Sequence, residues 1–185
     1  MENIEMENLI NHLAAIRPIY IEGKGKGCEI YLNDGSIIID KREASTIVKD
    51  LAGYLAVDLG SLKKFCSHRL TAKNSLPLPL TPKLMLVPLR LRKPKVIKDS
   101  ATGYVNFFSI VNIQQKGRCS HLHLTGDSNI ICFQTLKTIQ VHLVYSRLIY
   151  REWQSVYVNP YVKEVGKELY KTAKLDLIRN IMGEE

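Results

Sequence analysis

Acidic residues are scarce where basic ones are dense. Residues 81–150 carry ten Lys or Arg but only two acids, Asp99 and Asp127, whereas residues 1–80 have ten of each sign and residues 151–185 six of each. The entire formal net charge of +8 therefore originates in the middle of the chain. A metal-dependent nuclease, or another enzyme acting on nucleic acid, needs clustered carboxylates beside its cations to hold Mg²⁺, and two isolated acids argue against one. A confined cationic surplus points instead to a surface that meets a polyanion, with nucleic acid the first candidate and an RNA-binding accessory role the plainer alternative.

Other shortages exclude further classes. No apolar run approaches the roughly 20 residues that cross a bilayer, and the acidic start Met1-Glu-Asn-Ile-Glu-Met-Glu7 is unlike a secretory leader. The expectation is a cytoplasmic protein with no membrane partner. Cysteines at 28, 66, 119 and 132 form no Cys-x-x-Cys pair, so reduced thiols are expected. Glu22-Gly-Lys-Gly-Lys-Gly27 lacks the spacing of a phosphate-binding loop and leads into a strand, which makes it a hairpin. Cys66 and His68 lie two apart on a helix and do not face each other. Cys119, His121 and His123 alternate along one strand near Cys132, but a ligand spacing of two is unusual for zinc, and ordinary strand positions are the preferred reading. No catalytic residue, metal or cofactor is expected.

What is present is a basic ribbon. Lys83, Arg90, Arg92, Lys93, Lys95 and Lys98 fall in one stretch without an acid. Leu89-Arg-Leu-Arg92 alternates, which as a strand would turn both guanidiniums to one solvent face. Pro88, which has no N–H, indicates an edge position or a bulge, and Pro94 ends the strand. Lys116 and Arg118 on a neighbouring turn complete the expected nucleic-acid-binding set. Eight phosphate contacts would give a log–log salt slope of about −7. Asn106 and Asn112 read bases only if they leave the sheet face.

The pattern of elements predicts an α+β fold of mainly antiparallel sheets. A helix from Ile4 to Ile16 precedes strands at 18–21 and 28–32, and Asn33-Asp-Gly35 marks a hairpin to the strand at 36–39. A helix follows Asp40, possessing apolar residues at 44, 47, 48, 51 and 55, and Ser61–Phe65 adds a last turn. The three prolines of 75–82 read as an extended linker. Gly103–Ile113 reads as one long strand, followed by strands at 120–125 and 130–133 and by a helix from 136 to 150 capped by Thr135. The chain thus repeats a strand-strand-strand-helix plan, giving two pseudo-repeated halves: a β-rich half (1–80) with its packing helix, and a basic half (81–150). Residues 151–185 form a C-terminal helical extension with an apolar stripe from Val162 to Ile181, and self-association through the C-terminal helices is expected.

The apolar strand with Pro88, the basic proline-containing loop after it, Gly103-Tyr-Val-Asn106 with Ile110 and Ile113, and the strand pair ending at Phe133 before Thr135-Leu-Lys-Thr138 together resemble the ComK family of competence transcription factors. The last part is also similar to the second half of LytTR-type DNA-binding domains. The resemblance covers about residues 17–150. It implies sequence-specific binding of double-stranded DNA, a preference for A·T-rich sites approached from the minor groove, and transcriptional regulation.

Overall fold

The computed structural model describes residues 5–23, 25–70, 72, 74–97 and 99–158. In chain order these form α1 (Met6–His12), β1 (Leu13–Ile21), β2 (Gly25–Leu32), β3 (Ile37–Asp40), α2 (Ala44–Tyr54), α3 (Leu59–Arg69), β4 (Leu78–Thr81), β5 (Leu84–Arg90), β6 (Thr102–Asn106), β7 (Ile110–Lys116), β8 (Cys119–Leu124), β9 (Asn129–Cys132) and α4 (Leu136–Trp153). Two antiparallel sheets result, one of six strands in the order β3-β2-β1-β6-β5-β4 and one of three in the order β7-β8-β9. The expected α+β class is what the chain adopts. The strand-strand-strand-helix plan occurs twice, as β1–β3 with α2 and as β7–β9 with α4, while β4, β5 and β6 complete the first sheet. That sheet runs across the division expected at residue 80.

The six-stranded sheet is covered on both faces. On one lie the helices, with Ile47, Leu51, Leu62 and Cys66 packed on Ile16, Ile30 and Leu86. On the other lies the small sheet, whose Leu122, Leu124, Ile130 and Cys132 meet Val87, Leu89, Leu91 and Val105. α4 serves both layers, through Ile139 in the second and Ile149 and Trp153 in the first.

This double coverage explains where the chain departs from its local pattern. Leu13–Ile16 has the composition of a helix end, yet all four residues are buried, Leu13, Ala15 and Ile16 pair with β2, and Ala15 and Ile16 pair with β6 as well, so α1 stops at His12. Central placement overrides propensity there. The segment 75–82 is not a free linker, because β4 pairs with β5 and buries Leu78 and Leu80. Its prolines are tolerated on an edge strand. Beyond Leu86, β5 has no β4 partner, which gives Pro88 the edge environment it needs. The expected long strand 103–113 is broken by a turn of 3-10 helix at Phe107–Ser109. Asn106 causes the break: its buried amide donates to the carbonyls of Leu13 and Lys83, and its Oδ1 accepts from the backbone N–H of Met85 and of Phe108. The chain passes from one sheet to the other at this residue. α3 is a separate helix, begun by Asp58, whose carboxylate accepts from the Ser61 N–H at 2.7 Å. The predicted stripe from Val162 to Ile181 lies outside the described residues.

The equivalent turns of the two repeats touch. Asn33 Oδ1 accepts from Ser109 Oγ at 2.7 Å and from Thr125 Oγ1 at 2.6 Å. Beside it Gly35 (φ 89°) lies against Gly126 (φ 70°), where a Cβ on Gly35 would stand 2.5 Å from the Gly126 carbonyl oxygen and one on Gly126 would stand 2.8 Å from the Asn33 oxygen. Gly126→Ala therefore combines a left-handed backbone with a clash against fixed main chain, and is expected to cost about 2–4 kcal/mol in urea unfolding. Gly53, helical with open space around its Cβ, is the control. Gly53→Ala is expected to be neutral or to stabilise by up to about 1 kcal/mol. Equal effects at the two positions would refute the turn-to-turn contact.

Candidate nucleic-acid interface

The eight expected binding residues do not form one ribbon. β5 is apolar on both faces from Leu84 to Leu89, and only Arg90 emerges at its end. Arg92 is a correction, because it is 7% exposed and does not share a solvent face with Arg90. Its guanidinium donates to the Ser100 carbonyl from Nε (3.1 Å) and Nη2 (2.5 Å) and to the Ile19 carbonyl from Nη1 (3.1 Å), and it lies 4.4 Å from the centre of the Tyr20 ring. The chain has left the strand after Arg90, so strict alternation no longer applies. Arg92 anchors the following loop onto β1.

Lys95 belongs to the same anchor. Its N–H donates to the Tyr20 hydroxyl at 2.8 Å and its ammonium sits 4.9 Å from that ring, while the hydroxyl donates to Asp99 at 2.6 Å. Asp99 also pairs with Lys26 at 2.8 Å, and these two partners hold its carboxyl below the usual carboxylate range. Lys83 lies on the exposed β4–β5 turn at the opposite end of β5 from Arg90, roughly 20 Å away at strand rise. Lys98 is outside the described residues.

Four of the expected cations do converge, and a fifth joins them. Gln134, between β9 and α4, is the hub. Its Oε1 accepts from the Arg90 N–H at 2.9 Å, its carbonyl accepts from Ser120 Oγ at 2.9 Å, and the Phe133 N–H donates to the Arg90 carbonyl at 2.8 Å. The Lys93 ammonium lies 5.4 Å from the Phe133 ring. Gln115 then ties the β7–β8 hairpin to α4, its Oε1 accepting from the Leu136 N–H while its Nε2 donates to the carbonyls of Gly117 and Cys119. Lys116 and Arg118, at the tip of that hairpin, are thereby brought beside Lys137 in the first turn of α4. Arg90, Lys93, Lys116, Arg118 and Lys137 are all exposed, and among the described residues none is in an ion pair. Thr135 caps α4, whose first turn has no acid, so the positive end of the helix adds to the same field.

Among the described residues nothing comparable forms around the acids of this segment or the thiols. Asp99, in the β5–β6 loop, lies against Lys26 of β2, and Asp127 is in the turn between β8 and β9, so the two carboxylates do not converge. Cys132 is fully buried on the inner face of its sheet, paired with Ser120, whereas Cys119, His121 and His123 belong to the outer face. The four cannot surround one ion, and among the described residues no group of three or more His, Cys, Asp or Glu could hold a metal. Burial pushes the thiols of Cys28, Cys66 and Cys132 up to about 12, which leaves them protonated, and Cys66 donates to the Pro77 carbonyl at 3.3 Å. Among the described residues no helix is long and apolar enough to cross a membrane.

Gln134, Gln115 and Lys137 escaped the reading of the sequence because charge counting does not see amides, and because Lys137 is separated from the other cations by two strands. Its one local signal was the Thr135 cap, which marks where a helix start would present it. No family model matches this chain, and no curated protein matches it.

The hub is expected to respond to pH. Since Gln134 Oε1 is committed to Arg90, its NH₂ must donate to His142 Nε2, 3.4 Å away, which requires the neutral ring. Burial lowers the His142 pKa from its ordinary 6.5. A lowered histidine value means that the unfolded chain takes up the proton first, so this part of the stability is complete above pH 6.5 and is lost as pH falls through the folded value. Asp34, Asp40, Asp58 and Asp99, all held below 3.8, respond only at lower pH. The melting temperature is expected to drop between pH 7 and pH 5, and to drop less in His142→Gln. Parallel curves for the two proteins would remove His142 as the cause.

Proposed function

We propose that this protein binds double-stranded DNA and acts as a transcriptional regulator of the ComK-like kind, without enzymatic activity. The observation that carries the reading is that the segments bearing Arg90, Lys93, Lys116, Arg118 and Lys137 are tied together at the start of α4, three separate parts of the chain whose cations are exposed and unneutralised among the described residues. Cations gathered from distant segments onto one surface serve a phosphate backbone better than they serve edge protection, which would act strand by strand. Helix N-termini and exposed Lys or Arg are the groups that fix a protein's register on a duplex. The guanidinium of Arg90, at the end of β5, is suited to a narrow A·T-rich minor groove, where negative potential is concentrated.

Five phosphate contacts give an expected log–log salt slope of about −4.5, against about −7 for the eight cations counted in sequence. Lys116→Ala with Arg118→Ala is expected to flatten it to about −2.7 and to weaken binding to all duplexes alike, with unchanged melting. Arg92→Ala is expected to behave in the opposite way. Stripping three buried hydrogen bonds from the loop costs about 2–3 kcal/mol of stability, while the slope stays as it was. Fluorescence titration with labelled duplex across a salt series measures both. A slope that the double substitution leaves unchanged, or cleavage of the duplex in Mg²⁺, would overturn the reading.

A further inference from the structure

We propose that the outward face of β7 and β8 reads base edges in the major groove, with Gln114 and His121 as the central reading residues and Asn112 beside them. The proposal rests on the DNA-binding reading above and adds the source of its specificity.

The register puts these groups together. Asn112 pairs with His123, Gln114 with His121 and Lys116 with Cys119, and cross-strand partners share a face. The intervening pair, Gln115 and Ser120, belongs to the opposite face, with Ser120 buried in line with Leu122 and Leu124 farther along β8. Asn112, Gln114 and Lys116 are exposed, and His121 and His123 are half-buried.

Hydrogen-bond accounting separates this face from the rest of the small sheet. On the opposite face, the amide of Gln115 is bonded at both ends and Ser120 is bonded to Gln134. By contrast, Gln114 and His121 have no hydrogen bond among the described residues, and only the oxygen of Asn112 is used, by the N–H of Ile113 at 2.8 Å. A side chain kept for local structure would show the pattern of Gln115. Adjacent amide and imidazole groups left with their full capacity are matched to an external ligand rich in donors and acceptors.

The dimensions fit a duplex. Alternate residues on a strand are about 6.8 Å apart, two steps of the 3.4 Å base stack, so Asn112, Gln114 and Lys116 fall on every second base pair. Two strands about 4.8 Å apart, with their side chains, enter a major groove about 12 Å wide. A glutamine or asparagine amide pairs with N6 and N7 of adenine, and an imidazole N–H faces the N7 acceptor of either purine. Ile131, next to His121 on β9 and 41% exposed, offers the apolar contact suited to a thymine methyl. Lys116 and Arg118 at the hairpin tip meet the flanking phosphates and hold the ribbon in register.

The test uses duplexes selected by the full-length protein from a random pool, a scrambled duplex, and the selected duplex rebuilt with 7-deazapurines, which lack N7 but leave the minor groove intact. Gln114→Ala and His121→Ala, which break no internal hydrogen bond, are expected to lower affinity for the selected duplex by roughly five- to a hundredfold each. Affinity for the scrambled duplex and the salt slope are expected to stay unchanged. The deaza duplex should weaken the unmodified protein by a similar factor and Gln114→Ala by less. Full affinity for the deaza duplex, or an unchanged ratio of selected to scrambled binding in both variants, overturns base reading by this face while leaving DNA binding intact. If the unmodified protein binds no duplex, and Lys116→Ala with Arg118→Ala has nothing to lose, the DNA-binding reading fails and this inference with it.

Discussion

The apolar layer between the two sheets is the constraint from which the interface follows. A three-stranded antiparallel meander with one polar face has to bury its apolar face against another element. Here Leu122, Leu124, Ile130 and Cys132 are set against Val87, Leu89, Leu91 and Val105, and Ile139 of α4 closes the side. Each fully buried aliphatic side chain is worth about 1.5–3 kcal/mol, so the layer holds the small sheet far more strongly than its few polar contacts do. Once one face is committed in this way, the period of two in a strand leaves Asn112, Gln114, His121 and His123 no choice but the other.

Polar contacts decide the register at which that layer closes. At one end two glycines let the β2–β3 and β8–β9 turns approach backbone to backbone, with Asn33 bonded to Ser109 and Thr125. At the other end Gln134 and Gln115 connect β5, β7, β8 and α4. The cations are thus held by neutral amides that place them without neutralising them. An ion pair could fix the geometry equally well, but it would cancel the field that a polyanion responds to.

Much of this was legible in the sequence where local chemistry acts alone. Asn33-Asp-Gly35 gave its hairpin, with Gly35 at positive φ and Asp34 accepting from the N–H and hydroxyl of Ser36. Thr135 capped its helix, and the two Ile-rich strands fell where the pattern put them. Two of the failures share a cause, which is that burial on both sides of a sheet erases the alternation that distinguishes faces. Leu13–Ile16 looked helical and Leu78–Leu80 looked like linker because nothing in a short window records a second covering layer. Arg92 differs, because the chain has left the strand before reaching it. Next to Arg90 in composition and spacing it was indistinguishable from it, and only the return of Ser100 and Ile19 to its side turned a surface cation into a buried anchor.

That conversion changes the balance between attraction and discrimination. Eight phosphate contacts would lose about 10⁴-fold in affinity between 50 and 200 mM salt, and five lose about 500-fold. The smaller number makes binding less dependent on ionic strength, but it also supplies less attraction to any arbitrary stretch of duplex. A protein with a modest electrostatic grip cannot find its site by charge alone against a large excess of competing sequence, and the difference has to come from groups that are indifferent to salt. Arg92 is given to the fold, and with the backbone N–H of Lys95 it holds the loop that shapes the surface. In the proposed reading, the uncharged amides and imidazoles of the small sheet are what remains on that surface to tell one sequence from another.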